Sequence, residues 1–392
     1  MKKLIAMLLA LVMVVSMAAC GAEKPAETEA PAAQTEAPAA AEEAAPADEV
    51  KTVGISMPTK SLERWNRDGS YLKEEFEKAG YKVELTYSDN DVTQQNNDIS
   101  NLVAGDIDLL IVAAIDGEAL TQVLGEAKDA GVPVIAYDRL IMNTDAISYY
   151  VSFDNYTVGT LQGQFVETAL DLKNAGDKTY NLEFTGGDPA DNNARFFFQG
   201  AVDVLNPYIE AGTLKVVSGQ TEFEQVATAQ WNTDTALARM QNVLASYYSD
   251  GTILDAVVCS NDSTALGSAQ AITTDYAGGN APIITGQDGD IANLRNIVDG
   301  IQTMTVYKNV ANEAVATLEL AKAILAGEKP AAELAENLGI ECAYDTSSYD
   351  NGTGIIPSYL LVPTVITKDN LQDLVDTGLY AWDGDYLVST AK

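Results

Sequence analysis

Side chains that form two directed hydrogen bonds in one plane, together with indole rings, recur along this chain in short clusters. Each cluster follows a run of apolar or β-branched residues. Lys60, Glu63, Arg64 and Trp65 come after Thr52-Val53-Gly54-Ile55-Ser56, Asp116 after the apolar residues 109–113, and Asp138 and Arg139 after Pro133-Val134-Ile135-Ala136-Tyr137. Further along stand Asp191, Asn192, Asn193 and Arg195, then Trp231, Asn261 with Asp262, Gln287 with Asp288, and Tyr307 with Lys308. A polyhydroxylated ring suits such a set, because its hydroxyls each donate and accept while its C–H face packs on an aromatic. Arg139 can fork onto two adjacent hydroxyls while Asp138 accepts from others, which makes the pair more selective than either residue alone.

Taken singly, each of these residues has a plainer explanation. A tryptophan just after a strand is often a core anchor, and Asp138-Arg139 could be a surface ion pair. Asn261-Asp262 could cap a helix starting near Ser263, and Asp288-Gly289 could be an ordinary turn. Their common placement after apolar runs favours a binding site. Catalysis has less to draw on, since the chain has no histidine and so lacks the usual general base and the commonest metal ligand. Beyond Cys20 there are only Cys259 and Cys342. One disulfide between them is arithmetically possible, although Cys259, in Ala256-Val257-Val258-Cys259, reads as a buried strand thiol. Zinc is excluded for want of ligands, no Asp-x-Asp-x-Asp-Gly calcium loop occurs, and neither metal nor cofactor is expected.

The elements that must position these residues follow one grammar: a short strand, a polar or glycine-containing turn, then a helix. Strands are expected at 52–56, 83–87, 109–113 and 133–137, with helices at 70–79, 94–104 and 117–130 ended by Gly80, Gly105 and Gly131. A second series has strands near 180–184, 214–218, 256–260, 282–286 and 302–306. The fold class is therefore α/β, with parallel sheets flanked by helices in two Rossmann-like lobes. Ligands of such sheets bind beyond the carboxyl ends of the strands, which is where the clusters fall.

The first 50 residues are of another kind. Lys2-Lys3, an apolar run and Met17-Ala18-Ala19-Cys20 read as a secretory signal over 1–19, with Cys20 as the site of lipid attachment. Residues 20–50 are a linker of Ala, Pro and Glu too poor in apolar surface to fold, suited to tether a body to the outer face of a cell membrane. The remaining chain, with 47% hydrophobic and 20% charged residues overall, is long enough for two ordinary domains. A formal net charge of −34 argues against nucleic acid and against docking on an anionic membrane surface.

The stretches Leu62-Glu63-Arg64-Trp65, Ile135-Ala136-Tyr137-Asp138-Arg139, Phe153-Asp154-Asn155, Gly186-Gly187 with Asp191-Asn192-Asn193-Ala194, Ser260-Asn261-Asp262, Gly286-Gln287-Asp288 and Met304-Thr305-Val306-Tyr307-Lys308 resemble, in order, a known family. It is the sugar-binding proteins of bacterial uptake systems with the type I periplasmic-binding fold, above all the xylose-binding and multiple-monosaccharide-binding proteins. The resemblance implies that Trp65 and Trp231 sandwich a pyranose. Arg64, Asp138 and Arg139 would hold it from one lobe, with Asn193, Asn261, Asp288 and Lys308 holding it from the other lobe or the hinge. Lys60, Glu63, Asp116 and Asn192 are further candidates, and the choice between Asn192 and Asn193 stays open. Lys308 stands where ribose binders carry glutamine, which favours a xylose- or glucose-like ring. The lobes are expected at 51–153 with 309–337 and at 154–308 with 338–392. Hinge candidates are Phe153-Asp154, residues 302–310 and a return after about Ala331, and residues 343–353 are expected as an irregular loop.

A non-enzymatic function is implied: a monomeric, lipid-anchored binder that closes on a monosaccharide and hands it to an ABC permease with its ATPase. A sugar-sensing receptor for chemotaxis or two-component signalling is the alternative. A glycosidase built on Asp138 and Asp288 is disfavoured, because Arg139 and Lys308 beside them favour ionised carboxylates where a general acid must stay protonated.

Overall fold

Strands built almost wholly from Val, Ile, Leu and Ala can be covered on both faces, and the chain uses them so. The computed structural model describes residues 50–390; the expected signal segment, Cys20 and nearly all of the linker lie outside the described residues. The first lobe opens with β1 (Thr52–Met57), α1 (Glu63–Lys78), β2 (Lys82–Tyr87), α2 (Val92–Ala104), β3 (Leu109–Val112), α3 (Thr121–Asp129), β4 (Val134–Tyr137) and β5 (Ile147–Phe153). These five strands are parallel, in the order β5-β4-β3-β1-β2. The second lobe follows with α4 (Asn155–Ala169), β6 (Tyr180–Thr185), α5 (Asn192–Glu210), β7 (Leu214–Val216), α6 (Phe223–Val226), α7 (Thr233–Tyr247), β8 (Ala256–Cys259), α8 (Asp262–Asp275), β9 (Ile283–Ile284), α9 (Ile291–Asp299) and β10 (Met304–Tyr307). Its parallel sheet runs β7-β6-β8-β9.

The chain then returns to the first lobe. Ala314, Leu318 and Ala321 of α10 (Val310–Leu325) join Ile55, Leu109 and Phe153 on one face of the first sheet, and α11 (Ala332–Asn337) follows. β11 (Cys342–Asp345) and β12 (Ser358–Leu361) extend that sheet, with β12 parallel to β5. A last crossing leads to β13 (Thr364–Thr367), antiparallel to β10, then α12 (Gln372–Asp376) and the hairpin β14 (Tyr380–Asp383) and β15 (Tyr386–Ser389). Tyr380 and Leu387 of the hairpin pack with Leu294 and Ile297 of α9 in the second lobe.

Two expectations need correction here. From the sequence all of 338–392 is expected in the second lobe, yet β11 and β12 belong to the first sheet, where Tyr359 and Leu361 are buried beside Val151 and Phe153 and cover what would be an open sheet edge at β5. The third crossing accordingly lies at 361–364 and not after Ala331. It runs beside the first, because the Asp154 N–H donates to Leu361 O at 3.1 Å. Residues 343–353 are also less irregular than expected. Their first part is β11, and beyond it Asn351, fully buried, donates to Ile141 O at 3.1 Å and Thr144 O at 2.8 Å. Cys259 and Cys342 are both free, one in each lobe's sheet, so the possible disulfide is not formed.

Candidate ligand site between the lobes

The segments that follow β1, β4, β9 and β10 and that flank α5 and α8 converge on one cavity. Leu62, Arg64, Trp65, Asp138 and Arg139 line it from the first lobe, Asp191, Phe197, Trp231, Asn261, Ser263, Gln287, Asp288 and Asp290 from the second, and Lys308 from the crossing after β10. The cavity is narrow, about 30 Å³, because Arg64, Asp138, Asp288 and Lys308 fill much of it with contacts to one another. Trp65 and Trp231 are only 3% and 4% exposed, so the cavity is closed over by both lobes.

Each indole is fixed by its own device. Trp65 lies in the first turn of α1 and faces the guanidinium of Arg139 at 4.8 Å from its ring centre. Trp231 follows Gln230 with φ of 54° and 57°, a left-handed pair that side-chain-bearing residues rarely adopt. Its indole N–H donates to Asp191 Oδ2 at 3.2 Å, its ring packs on Phe197 with centroids 6.2 Å apart, and its far edge lies over Gly187. A Cβ at residue 187 would occupy the volume of that ring.

The polar wall is a network of compensated charges. Asp138 Oδ1 lies 2.6 Å from Arg64 Nη2 and 3.0 Å from Lys308 Nζ; Asp288 Oδ1 lies 3.3 Å from Arg64 Nη1 and 3.6 Å from Lys308 Nζ. Burial alone would raise the Asp138 carboxyl, but Arg64, Lys308 and Arg139 outweigh it and hold the group well below the usual range. Behind Arg64, Asp68 accepts from it at 3.2 and 3.3 Å and Glu313 at 2.9 Å. Burial, with Asp138 nearby, pushes the fully buried Glu313 carboxyl well up. Arg139 pairs with Asp191 at 3.0 Å and donates to Ala114 O at 2.8 Å.

Both central aspartates sit on left-handed backbone, with φ 57° at Asp138 and 103° at Asp288. Asn193 does not line the cavity. It donates from Nδ2 to Asp138 O at 2.6 Å, alongside the hydroxyls of Tyr150 at 2.6 Å and Ser152 at 2.8 Å, and so fixes the strained residue from behind. Asn261 lines the cavity while its side chain caps α8 through Thr264 N at 3.0 Å.

The other four candidates lie elsewhere. Asp116 and Asn192 face a separate cavity at the seam of the lobes, Lys60 is exposed with its ammonium 4.8 Å from the Tyr87 ring centre, and Glu63 pairs with Arg67 at 3.3 Å. The cavity also takes in Asp191 and Gln287, named in the polar clusters but given no contact to the ring, and adds Phe197, Ser263, Leu62 and Asp290. Asp191 and Gln287 stand after strands and carry that signal; Phe197, one helical turn into α5, carries none.

Residues 53–329 match the family model for the periplasmic binding protein domain. The chain belongs to that family. It is 41% identical to the multiple sugar-binding periplasmic receptor of Rhizobium radiobacter, over 85% of this chain and 91% of that one. Against the D-xylose-binding periplasmic protein of Escherichia coli the identity is 36%, over 84% and 90%. Among solved structures it is similar to an ABC transporter solute-binding protein of Clostridium phytofermentans with bound β-D-glucose, at 50% identity and a TM-score of 0.80, over 84% of this chain and 98% of that one. The family and these relatives are substrate-binding receptors that work outside the cytoplasm, and not enzymes. No helix among the described residues is long and apolar enough to cross a membrane.

Proposed function

We propose that this protein captures one monosaccharide in pyranose form between its lobes and delivers it, in the closed state, to an ABC permease and its ATPase. The observation that carries this reading is the enclosed cavity to which each lobe contributes one indole and a charged, bidentate group. Trp65 and Trp231 would pack on the C–H faces of the ring. Arg64, Asp138, Arg139, Asn261, Asp288 and Lys308 would exchange some of their mutual contacts for hydroxyls. Gln287 Oε1, buried and without a partner, supplies an acceptor that a hydroxyl can satisfy. Asn193 serves the site through Asp138.

The glucose bound by the Clostridium phytofermentans protein and the xylose of the Escherichia coli protein's name favour an aldopyranose as ligand. The protein would act as a monomer, held to the membrane only by lipid on Cys20, with residues 1–19 removed and 20–50 as a spacer. The first lobe would comprise 51–153 and 310–361, the second 154–309 and 362–392.

The test is thermal denaturation with D-glucose, D-xylose, D-galactose, L-arabinose, D-ribose and myo-inositol. A ligand confined to the folded state at a hundred times its Kd adds about 2.7 kcal/mol, so one or two pyranoses should raise Tm with concentration. No rise with any of the six would overturn the reading. For the anchor, Cys20→Ala should release the protein from membranes into the soluble fraction, and retention would count against lipid attachment.

A further inference from the structure

One guanidinium outside the cavity lining joins the lobes. Arg67 follows Arg64 on α1, is 5% exposed and points to the far side of the Asp288 turn. Its Nη2 donates to Asp288 O at 2.9 Å and to Asp290 Oδ1 at 3.2 Å; its Nη1 donates to Gly289 O and to the Tyr380 hydroxyl, both at 3.1 Å. All of these acceptors belong to the second lobe, and only the 3.3 Å contact to Glu63 stays within the first. Glu63 reaches across as well, accepting from Ile291 N at 3.1 Å.

The segment that receives Arg67 is the one that needs holding. Asp288 and Gly289 have φ of 103° and 72° in succession, a conformation that is unfavourable at a residue with a side chain and persists only when its surroundings over-determine it. Within the second lobe, the Asp288 N–H donates to Val306 O and the Asp290 N–H to Asp262 Oδ2, both at 2.9 Å, the Gly289 carbonyl takes the Tyr380 hydroxyl at 2.8 Å, and the Gly289 N–H reaches Thr305 Oγ1 at a long 3.4 Å. The Asp288 carbonyl is bonded from the first lobe by Arg67.

We propose that Arg67 is a positioning residue for the sugar site: on closure it bonds the Asp288-Gly289 turn and so holds the second lobe against α1, without touching the ligand. The proposal rests on the sugar-binding reading. Because the contact is made to the protein and not to the sugar, its contribution is common to every ligand that the closed form accepts. Arg67 sets how tightly the protein binds, and the cavity lining sets which sugar.

Calorimetric titration of D-glucose and D-xylose into the unsubstituted protein, Arg67→Met, Arg67→Lys and Tyr380→Phe tests this, with circular dichroism to confirm folding. Arg67→Met should weaken every sugar that binds by a common factor of about ten or more, leaving the ratio of affinities and the stoichiometry unchanged. Arg67→Lys should recover part of the loss, and Tyr380→Phe should weaken binding less, again uniformly. Should Arg67→Met not fold, Tyr380→Phe decides by the same criterion. Unaltered affinity, or an altered ratio between sugars, would overturn the role of Arg67 alone. Failure of the unsubstituted protein to bind any sugar would overturn the sugar reading, and this proposal with it.

Discussion

At the scale of single residues, Asp138 shows how the site is made selective and kept charged at once. Its carboxylate is shared by Arg64 and Lys308 with Arg139 close by, and its carbonyl is fixed by Asn193, Tyr150 and Ser152. Asp138→Asn would leave those cations facing one another, so sugar affinity should fall about tenfold or more, ~1.4 kcal/mol, with the fold retained. Trp65→Ala should cost a similar factor through lost stacking; titration calorimetry measures both. Gly187→Ala should displace the Trp231 ring and weaken binding although residue 187 does not line the cavity. Asp290 titrates in the opposite sense to Asp138. Burial, against Arg67 and reinforced by Glu63 and Asp288, pushes it up to about 7, above its unfolded value of ~4. The folded protein therefore binds more protons between those values, and stability from this group falls as pH rises from about 4 to 7. Asp290→Asn should flatten that part of a Tm-against-pH curve; an unchanged slope would mean that Asp290 is ionised throughout. Of the residues in the cavity, those standing directly after strands were legible in the sequence. Phe197 and Asp290 were not, because helical phenylalanine and an aspartate before a helix have commoner explanations.

At the scale of elements, the alternation of apolar runs and helices gave the order of most strands, and the misreadings have physical causes. α1 was expected from residue 70 but starts at Glu63, because the buried face of its first turns is charged, with Arg64, Arg67 and Asp68 inside. Gly69, inside the helix, stands where a Cβ would collide with the Tyr87 hydroxyl. The lobe exchange after residue 338 was hidden because β11 and β12 are short and nothing local says which sheet they join. The segment between them is a structural plug. Asn351→Ala would remove the side-chain donor to the Ile141 carbonyl and leave Thr144 O with the Thr353 hydroxyl alone, and should destabilise the protein by about 1–3 kcal/mol, read from denaturant unfolding, with the sugar preference unchanged.

At the scale of the whole molecule, two sheets joined by three crossings place the site where it exists only when both halves meet. The sequence shows the two series of strands but not their closing, since Lys308–Asp138, Arg64–Asp288 and Asn193–Asp138 join residues 170, 224 and 55 positions apart. The chain contains three tryptophans, and closure divides them unequally: Trp65 and Trp231 are shut inside the cavity, while Trp382 on the terminal hairpin is 44% exposed. The molecule thus carries its own optical gauge of occupancy. A collisional quencher such as acrylamide should extinguish mainly the Trp382 emission when the lobes are shut, and all three indoles when they part, so the accessible fraction of fluorescence counts the open molecules directly.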